Sequence, residues 1–177
     1  MKNNKQQVYV LGASAIIILI AVFGFNYLPL TKIPAALIGN PTYSNGYQPE
    51  ITKTESEWKQ LLTPQQYYVL RQKGTDVPFS ETILLNEKRP GTYVTADCGE
   101  PVFRSEHKYD SKTGWPSFWK PIEGSVVEVE DNELGIKRTE IVGKKCGGHL
   151  GHVFNDGPEP TGLRYCINSS ALKFIPD

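Results

Sequence analysis

The sequence predicts a mainly β protein: a small antiparallel β domain with two helices on its N-terminal side, preceded by one transmembrane helix. Short β-like runs at 91–95, 101–104, 125–130, 136–142, 152–154, 164–168 and 172–175 are separated by Gly, Pro, Asp and Asn, the punctuation of strands and turns. Two helix-start patterns precede those runs. Ahead of everything lies an almost wholly apolar stretch at residues 8–28.

That stretch has no charged residue between Lys5 and Lys32. Crossing the hydrocarbon core takes about 20 apolar residues as a helix, and this run is long enough. Lys2 and Lys5 precede it, so residues 1–7 are expected to remain cytoplasmic, with 8–28 as a signal anchor. A cleaved signal peptide is the alternative. Against it, the apolar run exceeds the roughly 7–15 residues of a typical signal core, and Ala35-Ala36 makes a poor cleavage site. Both readings place the remaining chain outside the cytoplasm.

Residues 29–51 are rich in Pro, Gly, Asn, Ser and Tyr without periodicity and read as a linker; residues 52–177 form the folded domain. Thr54-Glu55-Ser56-Glu57 has capping-box spacing, in which a hydroxyl and a carboxylate satisfy free backbone N–H groups reciprocally. Thr63-Pro64-Gln65-Gln66 repeats the pattern with Pro at the first helical position, where its missing N–H costs little. This second helix should run to near Lys73 and stop at Gly74. Residues 131–135 read as a hairpin loop between two of the strands.

A chain of 177 residues holds about one such domain. Lys plus Arg and Asp plus Glu each number 19, so there is no basic excess and no nucleic-acid partner is expected. Three cysteines are too few for a disulfide-dense scaffold, and the odd count leaves a thiol to explain.

Three stretches are composed for more than packing. In Arg164-Tyr165-Cys166-Ile167-Asn168, strand alternation puts Arg164, Cys166 and Asn168 on one face. A thiol beside a guanidinium and an amide is in surroundings that favour the thiolate. The alternative is a buried structural cysteine, and the segment alone supports both equally. In the Gly-rich run from Cys146 to Pro158, His149 and His152 are three apart, so an extended backbone would turn them to opposite faces. Each alone reads most simply as a satisfied or surface histidine, and one beside a reactive thiol could instead donate protons. Gly114-Trp115-Pro116-Ser117-Phe118-Trp119 is either a core turn or an aromatic wall for a methyl or thioether ligand. His107 stands in a charged segment without a companion and reads as surface decoration.

With these stretches in hand, the chain resembles the B-type methionine sulfoxide reductases, which act on the R epimer, over roughly residues 52–175. The resemblance is carried by Glu57-Trp58-Lys59, Leu62 through Tyr67, Gly114 through Phe118, His149 through Phe154, Asp156-Gly157-Pro158 and Arg164 through Ser169, in the family's order. It implies a tent- or barrel-like antiparallel domain. It also implies Cys166 as the nucleophile that attacks the sulfoxide sulfur and becomes a sulfenic acid, and His152 as the acid that protonates the oxygen. His149, Asp156, Arg164 and Asn168 would be the polar shell, and Trp115, with Phe118 beside it, the wall for the substrate methyl. Expected partners are oxidised methionine-containing proteins, a thioredoxin-like reductant, and the membrane through the N-terminal helix.

Two departures matter. Many relatives hold zinc between two Cys-x-x-Cys pairs; here Thr95 and Gly143 stand where the first cysteine of each pair would be. Structural zinc wants about four ligands, so no zinc and no other cofactor is expected. The resemblance brings Cys98 and Cys146 together, and a disulfide between them is expected in an oxidising compartment, with two reduced relics as the alternative. Thr113 occupies the position where some relatives carry a resolving cysteine, which favours an external reductant. Two other functions remain: a non-catalytic module binding methionine segments, and a thiol peroxidase or redox sensor built on Cys166. The first predicts inert residues in place of Cys166 or His152; the second predicts indifference to sulfoxide.

Overall fold

Both capping boxes form. The Thr54 hydroxyl accepts from the Glu57 N–H while the Glu57 carboxylate accepts from the Thr54 N–H, opening α1, Glu55–Leu61. Thr63 and Gln66 do the same for α2, Pro64–Gln72. The computed structural model describes residue 43, residues 45–132 and residues 135–177. The transmembrane expectation for residues 8–28, and the segments assigned as 1–7 and 29–42, lie outside them. Among the described residues no helix is long and apolar enough to cross a membrane.

The end of α2 differs from expectation. Lys73, not glycine, takes the left-handed cap with φ 56°, and its ammonium reaches Glu140 at 2.8 Å. Gly74 serves packing instead, since a Cβ there would meet the Tyr68 ring at 2.3 Å. A third short helix, α3 (Thr82–Asn86), was not expected; it buries no residue, so no apolar periodicity marks it.

Among the described residues nine strands follow: β1 Gly91–Thr95, β2 Pro101–Arg104, β3 Lys108–Tyr109, β4 Ser117–Phe118, β5 Val126–Asp131, β6 Arg138–Gly143, β7 His149–Phe154, β8 Arg164–Ile167 and β9 Leu172–Pro176. They make two antiparallel sheets, β2-β1-β9 and β3-β4-β8-β7-β6-β5. Neither sheet closes on itself, so the architecture is a pair of open sheets rather than a barrel. The two-residue strands β3 and β4 went unread because alternation needs more residues than they have. The expected hairpin is present, with β5 paired to β6 from Val126↔Gly143 to Asp131↔Arg138.

Trp58, Leu70, Tyr93, Phe103, Phe118, Ile141 and Ile167 form the core, all at most 2% exposed. Each such side chain stabilises the fold by about 1.5–3 kcal/mol relative to exposure. Phe103 stacks on Phe118 with ring centroids 4.3 Å apart, and Tyr93 meets Phe118 edge-on. Arg71 of α2 lies over the Trp58 ring and donates to the Cys146 carbonyl, docking the helices against the loop that enters β7.

The linker expected over 29–51 ends earlier than its composition implies. Tyr43 and Tyr47 donate their hydroxyls to carbonyls of the β6–β7 turn, at Gly147 and Lys144. Asn45 donates to the Glu128 carbonyl, and the Ile51 N–H to that of Lys145. Tyr43 is buried with Val129 and Val142. Polar composition hid this strap because its anchors are tyrosines, which bury a ring and keep a hydroxyl to donate.

Candidate active site

Register in the larger sheet builds the site. Across adjacent strands, Ser117 of β4 faces Cys166 of β8, Cys166 faces His152 of β7, and His152 faces Glu140 of β6. Directly opposed residues share a sheet face with Cβ atoms about 4.5–5.5 Å apart, so topology alone lines up hydroxyl, thiol, imidazole and carboxylate.

His149 joins them against expectation. The β6–β7 register shifts between Ile141 and Val142, which pair with Gly151 and His149 and leave Leu150 as the extra residue of a bulge. One extra residue reverses the alternation beyond it. Both histidines therefore reach the same face, with ring centroids 5.4 Å apart. A side chain at Gly151 would put its Cβ 2.1 Å from the Cys166 carbonyl, so this crossing of β7 and β8 requires glycine.

Each imidazole is oriented by a carboxylate. His149 Nδ1 donates to Glu140 Oε1 at 2.7 Å; Glu140 Oε2 accepts from Lys73. A carboxylate only accepts, so these bonds place the proton on Nδ1 of His149. Burial alone would raise the Glu140 pKa, but the bonds and charges from His149 and Lys73 outweigh it and hold Glu140 below the ordinary range. His152 Nε2 donates to Asp131 Oδ2 at 2.8 Å, and Arg138 donates to the same oxygen at 2.7 Å. Burial lowers the His152 pKa; the Asp131 bond only partly opposes it, and the nearby His149 and Arg138 charges push it further down.

Cys166 is half-buried and is the only cysteine outside a disulfide. Its sulfur lies 3.9 Å from the Thr113 hydroxyl. The flanking guanidinium was expected to favour the thiolate, yet the net shift is upward: burial raises the thiol pKa more than the Thr113, Arg164 and Ser117 contacts lower it. Arg164 spends its strongest interactions elsewhere. Nε and Nη2 clamp the two Asp156 oxygens at 2.8 and 2.9 Å, and the guanidinium lies 4.4 Å from the Phe154 ring centroid.

Asn168 is buried and works on the backbone, donating to the Leu150 carbonyl at the bulge and accepting from the Asp76 N–H. Asp76 in turn accepts from Ser170 and Gln65, and its carbonyl accepts from Trp115 Nε1 at 2.9 Å. The indole is thereby held beside a cavity of about 160 Å³ lined by Thr75, Trp115, Arg138, His152, Phe154 and Cys166, together with Gly151 and Asn168.

Of the residues singled out from sequence, Cys166, His152, Trp115 and Asn168 line this cavity, and His149 and Arg164 adjoin it through His152 and Phe154. Phe118 does not line it: strand alternation turns Ser117 toward Cys166 and sends Phe118 into the core at 0% exposure. His107 is not surface decoration either, since its ring packs edge-on against Trp119 at 4.5 Å. Sequence reasoning missed Asp76, Asp131, Arg138 and Glu140. Within β6, Arg138 and Glu140 two apart on a strand face were the available signal.

Cys98 and Cys146 are joined, with Cα atoms 6.4 Å apart. Among the described residues Asp97 is the one further ligand type grouped with them; its carboxylate and the two sulfurs lie within 4.8 Å of one another. Sulfurs bonded to each other have no thiolate to offer, Gly143 has no side chain, and the Thr95 hydroxyl is 3.7 Å from the Cys98 sulfur. This donor set does not fit structural zinc, which wants about four thiolate or imidazole ligands.

A family model described as the SelR domain matches residues 62–176. The chain is also similar to proteins named "Peptide methionine sulfoxide reductase MsrB". That of Leptospira interrogans is 56% identical over 126 residues, covering 71% of this chain and 95% of the relative. Those of Methanosarcina mazei and Pseudomonas savastanoi are 54% and 56% identical, covering 73% and 72% of this chain and 93% and 97% of theirs.

Proposed function

The chain belongs to the SelR-domain family of B-type methionine sulfoxide reductases, and from that premise we propose that Cys166 reduces methionine R-sulfoxide in proteins through a sulfenic acid. The observation that carries this reading is the register that sets the one free thiol opposite a carboxylate-bound imidazole, beside an indole-walled cavity.

The methyl and thioether end of the substrate would rest on Trp115, an apolar contact suited to sulfur. The Cys166 thiolate attacks the sulfoxide sulfur, and His152 in its protonated form gives a proton to the oxygen, which is a poor leaving group without it. Oxygen then passes to the Cys166 sulfur. Methionine is released, its sulfur reduced by two electrons, and the cysteine is oxidised to the sulfenic acid. A dithiol closes the cycle: its first thiol expels water to form a mixed disulfide, and its second releases Cys166 and becomes the reductant's own disulfide. Thr113 has no thiol to give, and Cys98 and Cys146 are already bonded, so the dithiol is external, of thioredoxin-like type. No zinc or other cofactor enters.

The apolar run at 8–28, with Lys2 and Lys5 before it, supports an N-terminus in the cytoplasm and a domain beyond the membrane. The disulfide is in keeping with that side.

The test uses the full chain with dithiothreitol and a peptide carrying both sulfoxide epimers, followed by chiral separation. The R epimer should be consumed and the S epimer spared. Equal consumption of both, or of neither by folded protein, overturns the reading.

A pH profile tests the role of His152. The reactive form needs a thiolate and an imidazolium together, while burial moves the thiol pKa up and the imidazole pKa down. Between those two values the reactive pair is a minor, constant fraction. Wild-type kcat/KM should therefore be a broad plateau, falling below the imidazole pKa and above the thiol pKa. His152→Gln should lose about 10²–10⁴-fold and should rise with pH up to the thiol pKa without the alkaline fall. An unchanged alkaline limb in the variant would remove His152 from the proton transfer.

A further inference from the structure

Beside the reaction cavity lies a larger groove of about 650 Å³, between the segment that carries α3 and the β3 edge, with Phe79, Leu85, Lys88, Lys108, Tyr109 and Gly114 on its walls. No residue lines both spaces, but the same two segments contribute to each. Gly114 lines the groove and its neighbour Trp115 the cavity; Phe79 lines the groove and Thr75 the cavity. These two segments are tied by the Phe79 N–H donating to the Gly114 carbonyl and by Trp115 Nε1 donating to the Asp76 carbonyl, both at 2.9 Å. The Phe79 ring lies directly over Gly114, where a Cβ would meet it at 2.8 Å. A polypeptide leaving the cavity past Trp115 thus enters the groove within a residue or two, at about 3.8 Å per residue.

Two features define the occupant. Lys108, Tyr109 and Asp110 all line the groove in succession, which a strand face cannot do, because alternate residues point to opposite sides. The groove therefore runs along the edge of β3, which among the described residues is the outermost strand of its sheet and pairs only with β4. An exposed strand edge suits an extended chain. The charged groups, meanwhile, are largely answered from within: Glu87 by Arg89, Asp110 by Lys112, and the Lys108 ammonium by the Leu85 carbonyl at 2.8 Å. Among the apolar groups of the lining, Phe79 is the one left largely open to a partner, at 59% exposure.

We propose that this groove is the subsite for the extended, apolar residues flanking a methionine sulfoxide in a polypeptide substrate. The inference rests on the reductase reading and deepens it: residues flanking the sulfoxide bind along this groove and contribute to the choice of substrate. The Phe79 ring covers an apolar flanking side chain while Trp115 receives the sulfoxide methyl.

The experiment uses the full chain with dithiothreitol in excess and three R-sulfoxide substrates: a capped single residue, a heptapeptide with apolar flanks, and one with acidic flanks. The apolar heptapeptide should show kcat/KM about tenfold or more above the capped residue, through KM, as expected for covering one apolar side chain. Phe79→Gly removes the ring and suits the left-handed backbone there, φ 62°. It should erase that advantage while leaving the capped residue's kcat/KM unchanged. Equal KM for all three substrates, or an apolar preference that survives Phe79→Gly, overturns the proposal. So does a variant whose only defect is a raised KM for thioredoxin, which would make the groove the reductant's site. Failure to turn over even the capped residue would instead strike the reductase reading itself.

Discussion

Cys166→Ser will leave a folded protein that reduces neither sulfoxide epimer, with turnover down by roughly 10⁴-fold or more. The hydroxyl is nearly isosteric and enters surroundings already polar, with Thr113, Ser117 and Arg164 around it. The thermal midpoint should therefore move little, which separates a chemical loss from a structural one. Serine fails because its oxygen is a weak nucleophile toward sulfur and cannot hold the oxygen atom as a stable, reducible intermediate. A single-turnover experiment without reductant sharpens the result. Wild type should form about one methionine per chain and a sulfenic acid that a dimedone reagent traps at Cys166; the variant should form neither. Residual turnover in the variant within tenfold of wild type, or the trapped adduct on Cys98 or Cys146, would sink the assignment.

Breaking the Cys98–Cys146 bond should give the largest loss of stability. The two cysteines are 48 residues apart, and closing a loop of that length stabilises the folded chain by about 4 kcal/mol in the loop-entropy account. The bridge lies where α2 docks, since Arg71 donates to the Cys146 carbonyl, and where Tyr43 reaches Gly147. The double substitution Cys98→Ala, Cys146→Ala should lower the unfolding free energy by about 2–4 kcal/mol, read from denaturant midpoints of the full chain. Cys166 takes no part in the bridge and is held by its pairing with Ser117 and His152, so kcat on a capped sulfoxide should hold at low temperature. Alkylation of protein taken from its own compartment should label Cys166 alone. Labelling of all three cysteines would show that the bridge does not form there, and would remove its support for a domain beyond the membrane.

Some of this architecture was legible in the residues because it is local. A capping box closes within four residues, so Thr54 with Glu57 and Thr63 with Gln66 announce their helices whatever packs around them. Strand alternation is likewise local, and it placed β1, β2 and β9 within a residue of their ends. Cys166 stood out through its own neighbours, and several motifs in one order identified the family.

What the residues alone could not decide is whatever depends on register, and on burial that distant segments create. Alternation put His149 and His152 on opposite faces; a single bulge at Leu150, visible only once β6 and β7 are paired, put them on one. The carboxylates that orient these rings, Asp131 and Glu140, come from β5 and β6, and nothing in their own segments says which histidine each will meet. Phe118 and Ser117 exchanged the roles their composition implied, because pairing with β8 determines which of the two faces Cys166. The Cys166 thiol shows the same division most directly. Its charged neighbour is written next to it and argues for the thiolate, but desolvation is a sum over everything packed around the sulfur, and that sum raises its pKa.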